Sequence, residues 1–385
     1  MDAQPNVLVA RMFNDLQADD DPRAPNARHL LLDLLVIALL AVICGADDYP
    51  GIVEFGLDEE DWLKTFLALP HGIASISTFR RLFAALKPSV LAGVMQRWAI
   101  DLAGTLAGKQ IALDGKTLRR SFETARDKSG LHLVTAWCVE NNLVLAQQAV
   151  DEKSNEITAV PKVLDMLDLR GATVTGDAMN TQKNIAEQIV KGGGDYLLAV
   201  KGNHPTLCDA VQRHLDEMIL EKFKDVNHVY HETTDGGHGR IDTRRVWATD
   251  QLDWLATRAD WKKLTSVVVV ESTRLVLGTA RTSTERRYFL ASLPAASGER
   301  FASLIRNHWS IENGQHWVLD MAFNEDHSRV RKDHGDQNLA VLRRMALGLL
   351  RQDKSVKLGA KSKRIKAARN RGYLLRVLLS PVEAK

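Results

Sequence analysis

Hydrophobic positions change their period along this chain, and the changes divide it. Up to about residue 107 apolar residues recur at helical spacing, and Leu30 to Cys44 is apolar nearly all round, which predicts a helix at the centre of its bundle. Ser75 to Leu86 joins a serine or threonine cap to an apolar stripe and predicts a surface helix carrying Arg80 and Arg81. From Ile111 the pattern shortens to strands: Ile111 to Asp114, Leu131 to Val139 and Leu143 to Val150, with Asn141-Asn142 as a tight hairpin connection. A helix at about Asn155 to Asp168 follows, then the run ending in Gly176-Asp177, a helix from Thr181 (its expected N-cap) to Val190, and a strand from Tyr196 to Val200. After another helical stretch, HVYHETT, RIDTRRVWAT, SVVVVESTR and RRYFLASL predict four more strands. Phe301 to Phe323 returns to helical spacing, as does Asp336 to Arg351.

Three stretches place acids at the ends of apolar runs. In IALDGKTLRRS, Asp114 ends a short strand; it is either a turn aspartate before a glycine or a carboxylate presented at the edge of a sheet, where it needs a cation or a donor. Asp177 stands similarly after ATVTG. In the third, His308, Glu312, His316 and Asp320 recur every fourth residue among Trp309, Trp317 and Leu319, so Glu312 lies on a half-buried helix face. Two strand-borne aspartates and a helix-borne glutamate can converge on two divalent cations that clamp the attacking and leaving oxygens of a phosphodiester. Oxygen ligands favour Mg²⁺ or Mn²⁺.

The blocks IALDGKTLRRS, TGDAMNTQ and RNHWSIENGQHWVLDMAFNEDHSR resemble the signature blocks of the H-repeat-associated (ISAs-type) insertion-sequence transposases, and the likeness runs from about Asp21 to Leu350. That resemblance implies a DDE transposase with an RNase H-like core, an α/β mixed sheet flanked by helices. The predicted order of three adjacent strands, helix, strand, helix, strand suits such a sheet. It also implies that Asp114, Asp177 and Glu312 are the catalytic, metal-holding carboxylates, and that a homodimer works on double-stranded DNA, pairing the terminal inverted repeats and joining them to target DNA. Related cut-and-paste transposases carry Tyr-x2-Arg-x3-Glu-x6-Lys around the glutamate; here those places hold Ile305, His308, Glu312 and Leu319. Arg306 and His316 are put forward for the missing phosphate-contacting roles.

Composition sharpens this picture only in places. At 385 residues and 45% hydrophobic content the chain can bury a sizeable core in two or three domains. The expected division is an N-terminal helical domain over 1–107, a catalytic domain over 108–350 with a β-rich insertion at about 226–292, and a basic segment over 351–385. Cys44, Cys138 and Cys208 form no C-x-x-C pair, which fits a reducing cytoplasm, and neither a signal peptide nor a membrane span is expected. Residues 1–110 carry 9 basic and 14 acidic side chains against 42 and 34 beyond, an asymmetry that suits a polyanion for the later part. Between Arg351 and Arg376 ten basic residues face one acid, Asp353, as expected of a phosphate-backbone contact or a solvated tail. Lys116 and Arg119 beside Asp114, Lys201 at the end of its strand, and Arg240 after the loop Gly236-Gly237-His238-Gly239 are further candidates for DNA phosphate. The Ser75 helix can read a DNA end or be a solvated face.

Other functions are weaker fits. No tyrosine lies in a recognisable arginine cluster, as a tyrosine recombinase requires, and no phosphate-binding glycine loop is present. A metal-dependent nuclease that hydrolyses without joining strands, a non-catalytic DNA-binding remnant of a transposase, and a structural zinc site on His308, Glu312 and His316 remain as alternatives.

Overall fold

A computed structural model describes residues 12–13, 15–122, 129–151, 154–237, 239–279 and 281–383. Residues 1–11, where the absence of a leader was read, and His238 of the glycine loop lie outside them.

The N-terminal helices are α1 (Leu31–Ile43), α2 (Tyr49–Asp58), α3 (Glu60–Leu63), α4 (Ile76–Ala85) and α5 (Pro88–Ala103). Polar caps set two of these starts: the Asp48 carboxylate accepts from Gly51 N at 3.0 Å, and Ser75 Oγ accepts from Thr78 N at 3.3 Å. As its uniform pattern predicts, α1 is buried on nearly every side. It packs against α11 (Gly335–Gln352), which also meets α5 and the strand at Leu143–Ala149. A side chain at Gly348 of α11 would strike the Trp98 ring, so this glycine permits the close approach to α5. One continuous apolar core therefore joins the N-terminal helices to the sheet.

Among the described residues nine strands form one mixed sheet. They are β1 (Gln110–Thr117), β2 (His132–Cys138), β3 (Leu143–Ala149), β4 (Thr173–Gly176), β5 (Asp195–Val200), β6 (Val229–Gly237), β7 (Arg240–Thr249), β8 (Ser266–Val276) and β9 (Arg281–Ala291). Their order is β3-β2-β1-β4-β5-β9-β8-β7-β6, with β1, β4 and β5 parallel and β2 and β3 antiparallel, the arrangement of an RNase H-like sheet. The helices α6 (Glu156–Asp165), α7 (Lys183–Lys191) and α8 (Pro205–Leu220) connect these strands. Helix α7 starts later than expected, with Gln182 at its cap position, because Thr181 Oγ1 is drawn to the Ala199 carbonyl.

The β-rich stretch extends the same sheet, since β9 pairs with β5 through Leu197↔Ala291. Without it β5 would expose an unpaired edge. The face of this extension nearest the core is covered by α9 (Gly298–His308), with Val246, Val268 and Val270 against Phe301 and Leu304.

The basic C-terminal segment is neither a solvated tail nor a free cationic surface along its whole length. It folds as α12 (Ala360–Arg369) and α13 (Arg371–Glu383). Arg364 is buried, donating to Val42 O at 3.0 Å and Ala46 O at 3.2 Å with its guanidinium over the Phe323 ring, and Lys363 donates to Leu350 O at 2.7 Å. Cations that cap carbonyls in this way help to build a core, which a count of charges cannot reveal. No helix among the described residues is long and apolar enough to cross a membrane.

Candidate active site

β1 runs on past Asp114 to Thr117, because β2 continues to pair with it as far as Thr117↔His132. Its other neighbour stops sooner: the parallel pairing with β4 ends at Leu113↔Gly176. Asp114 therefore stands at the point where β4 peels away, and Asp177 is the first residue beyond that strand. The two carboxylates lie side by side at the carboxyl ends of adjacent parallel strands, where α/β sheets place their sites. Glu312, exposed, opens a π turn (Glu312–His316) that interrupts the expected continuous helix between α9 and α10 (Trp317–Phe323). Such turns often occur at functional sites.

Burial first, then the negative charges of Asp177 and Glu312, push the Asp114 carboxyl up to about 7. His308 and the Gly115 N–H only partly oppose them. Gly115 has its own reason: a Cβ there would collide with the hydrogen-bonded pair His132 and Glu156, whose Nε2 and Oε1 are 2.8 Å apart.

Each aspartate faces an imidazole. Gln110 Nε2 donates to Thr175 Oγ1 at 3.0 Å and to Leu304 O at 2.9 Å, and Thr175 Oγ1 lies 2.9 Å from His308 Nδ1. This chain of contacts favours the tautomer with Nε2 protonated, and that nitrogen is 3.5 Å from Asp177 Oδ1. The His308 hydrogen bond holds the Asp177 carboxyl below its ordinary value against burial, with help from Lys201 and Arg287. On the other side His316 Nδ1 lies 3.4 Å from Asp114 Oδ2. Burial, then Arg344 and Lys116, bring His316 down to about 3, so it is neutral at physiological pH, and its Nε2 is buried without a hydrogen-bond partner.

Two residues beyond Asp114 the situation reverses. Lys116 Nζ pairs with Asp320 and lies 3.5 Å from Glu325 and 3.8 Å from Asp326. Glu325 is fully buried and accepts from Arg344 Nη1 at 2.7 Å; burial pushes its carboxyl up, and Arg344 and Lys116 more than reverse that.

The remaining candidates separate into groups. Lys201 follows β5 and lines a cavity of about 420 Å³ with Asp177, His308 and Trp309, over which the Arg287 guanidinium sits at 5.1 Å. Arg119 is exposed but pairs with Asp326 at 3.3 Å. On the sheet extension Arg240 pairs with Asp242 at 3.3 Å, and Arg306 of α9 pairs with Asp235 of β6 at 2.7 Å. Asp320 pairs with Lys116. His308 and His316 each serve a different aspartate and do not turn to a common point with Glu312, which removes the basis for a zinc site.

Among the described residues no three of His, Cys, Asp and Glu form a ready-made metal-ligand cluster. The donor set still fits hard cations, because Asp114, Asp177 and Glu312 offer only oxygens and Asp114 carries the raised affinity for a proton of an anion that lacks a cation.

A model described as the transposase DDE domain matches residues 107–349, and one described as DDE_Tnp_1-associated matches residues 13–99. The chain belongs to the DDE transposase family. Over 353 residues this transposase is 37% identical to the "H repeat-associated putative transposase YhhI" of Escherichia coli K12, covering 91% of its own length and 92% of that relative. It is 44% identical over 283 residues to an uncharacterized protein in the dhlA 3′ region of Xanthobacter autotrophicus, covering 73% of this chain and 93% of the other. A solved piggyBac transposase synaptic complex with hairpin DNA aligns with 98% of the chain and 76% of its own at 10% identity, but its TM-score of 0.38 is too low to carry an argument.

The chain of contacts from Gln110 through Thr175 and His308 to Asp177 leaves little trace in the sequence. His308 gave one signal, since it occupies the place of the arginine in the related motif. Thr175 and Gln110 are unremarkable strand residues until β1, β4 and α9 are brought together.

Proposed function

We propose that this transposase cuts double-stranded DNA at the ends of an insertion sequence by metal-dependent hydrolysis and joins the freed 3′-hydroxyl to a target phosphodiester. The observation that carries the reading is the pair Asp114 and Asp177 at the ends of β1 and β4 with Glu312 near enough to raise the Asp114 pKa. Asp114, Asp177 and Glu312 would hold two Mg²⁺ or Mn²⁺ ions, which supply an acidified water and charge neutralisation at the phosphoryl oxygens. His308, braced by Thr175 and Gln110, orients the Asp177 carboxylate. Neutral His316 closes the buried side of Asp114, which must release its proton near neutrality before it can serve as an anionic ligand. Lys201 is placed to meet a phosphate beside Asp177. Joining two ends to one target calls for two active sites, hence a homodimer on DNA, working in the cytoplasm at the nucleoid.

The test is cleavage of a duplex carrying the element's end. Activity should require Mg²⁺ or Mn²⁺, and Asp114→Asn or Asp177→Asn should abolish it while DNA binding survives. Cleavage by either variant at the wild-type rate, or in excess EDTA, sinks the reading. Hydrolysis with no joined product would leave a nuclease instead.

A further inference from the structure

A second charged surface lies away from the carboxylates. Between α4 and the segment that follows α10 there is a cleft of about 850 Å³, lined among others by Arg80, His327, Arg329 and Lys332. Arg80 comes from the N-terminal helices and the others from the end of the catalytic region, so the surface exists only because the two pack together. All four side chains are exposed, and those of Arg80, Arg329 and Lys332 make no hydrogen bond or ion pair among the described residues. Its two acids are already engaged: Asp47 pairs with Arg364 at 3.1 Å and accepts from Asn324, and Asp48 caps α2. The cleft is therefore cationic with unspent charge.

It is also continuous with the active-site strand. Arg331, another of its lining residues, donates from Nε to the Arg120 carbonyl at 2.9 Å, and Arg119 reaches Asp326 just before the cleft. A basic track thus runs from the end of β1, past exposed Arg119 and Arg120, to α4. Cations spaced along a groove match a phosphodiester backbone, which they can neutralise without reading bases.

We propose that this cleft holds the phosphate backbone of duplex DNA and leads it to the carboxylates. The proposal rests on the reading of the chain as a DNA-cutting transposase and adds where the duplex lies. It assigns Arg80 a backbone contact and leaves base reading outside the cleft.

The experiment measures binding of a duplex carrying the element's end, and of a scrambled duplex of equal length, across salt concentrations. In Arg80→Gln/Arg329→Gln/Lys332→Gln the slope of log affinity against log salt should fall by about 3, roughly 0.9 per phosphate lost. Affinity should drop about tenfold or more for both duplexes alike, with unchanged thermal unfolding. Arg329→Gln alone, a single exposed change, should reduce the slope by about 1, and Arg81→Gln, outside the cleft, should leave it unchanged. Wild-type affinity and slope in the triple variant would overturn the cleft alone, as would an equal loss from Arg81→Gln. If the wild type shows no salt-dependent duplex binding, the proposed function falls with it.

Discussion

Asp114 and Lys116 stand two residues apart on β1 and face the same stretch of chain from Glu312 to Asp326, yet their surroundings are opposite. Lys116 is enclosed by Asp320, Glu325 and Asp326, with Arg344 completing the neutralisation. Asp114 has Asp177 and Glu312 near it and, directly opposite, a neutral imidazole. A buried charge cluster that serves only the fold must be paired internally, because an uncompensated buried ion costs several kcal/mol. The cluster left unpaired is then the one whose partner comes from outside, and perturbed carboxyls of this kind gather at functional sites.

The largest effect expected from breaking this contrast is at Lys116. Lys116→Met leaves three acids facing one another around a fully buried Glu325, and should lower unfolding stability by about 3 kcal/mol. Cleavage should fall too, because Lys116 fixes the chain after Glu312 against β1, and Lys116→Arg should recover part of both. The salt slope of DNA binding should not change, since the Lys116 side chain is only 10% exposed and its charge is spent on carboxylates. A slope lower by about 1 in Lys116→Met would return this lysine to a phosphate.

Next comes the choice of third carboxylate. Glu312→Gln should slow metal-dependent cleavage of a preformed DNA-end complex about a hundredfold, roughly 2.7 kcal/mol of transition-state stabilisation. Asp320→Asn should cost much less, because Asp320 is committed to Lys116. If single-turnover rates show the opposite order, the metals belong nearer the Lys116 cluster.

How much of this was legible in the sequence depends on the distance over which each signal acts. The strands β2 to β5 and the helix α1 follow from local periodicity and were readable to within a residue, whereas β1 runs three residues past its expected end at Asp114. The break between α9 and α10 was not, because His308, Glu312, His316 and Asp320 keep a fourfold period that the inserted π residue disrupts in space but not in spelling. Nor was the fate of the C-terminal cations: Arg364 is spent on the carbonyls of Val42 and Ala46, more than 300 positions away in the chain. Lys116 looked like a phosphate ligand because its nearest acid in sequence is the site's own Asp114, while the acids that hold it arrive some 200 residues later. Motif order singles out the three carboxylates; only the packing shows which cations are already taken.

The smallest expected effect is a gain. Asp114 holds its proton more tightly in the folded chain, at about 7, than at the ordinary 3.8. The sign follows: below about pH 4 folded and unfolded chains are both protonated there and the residue costs nothing; as pH rises towards 7 only the unfolded chain ionises freely, so stability falls. Asp114→Asn removes that cost. In metal-free buffer at about pH 8 the variant should be more stable than the wild type by on the order of 1–2 kcal/mol, less than the full shift implies because half-exposed Asp177 is screened by water. The gap should close as pH falls through the window to about 4, and Mg²⁺ at the higher pH should stabilise the wild type more than the variant. Urea unfolding across that range decides it: a gap that stays constant with pH, or a variant that Mg²⁺ stabilises equally, would mean that Asp114 is already compensated within the fold and that the contrast with Lys116 is false.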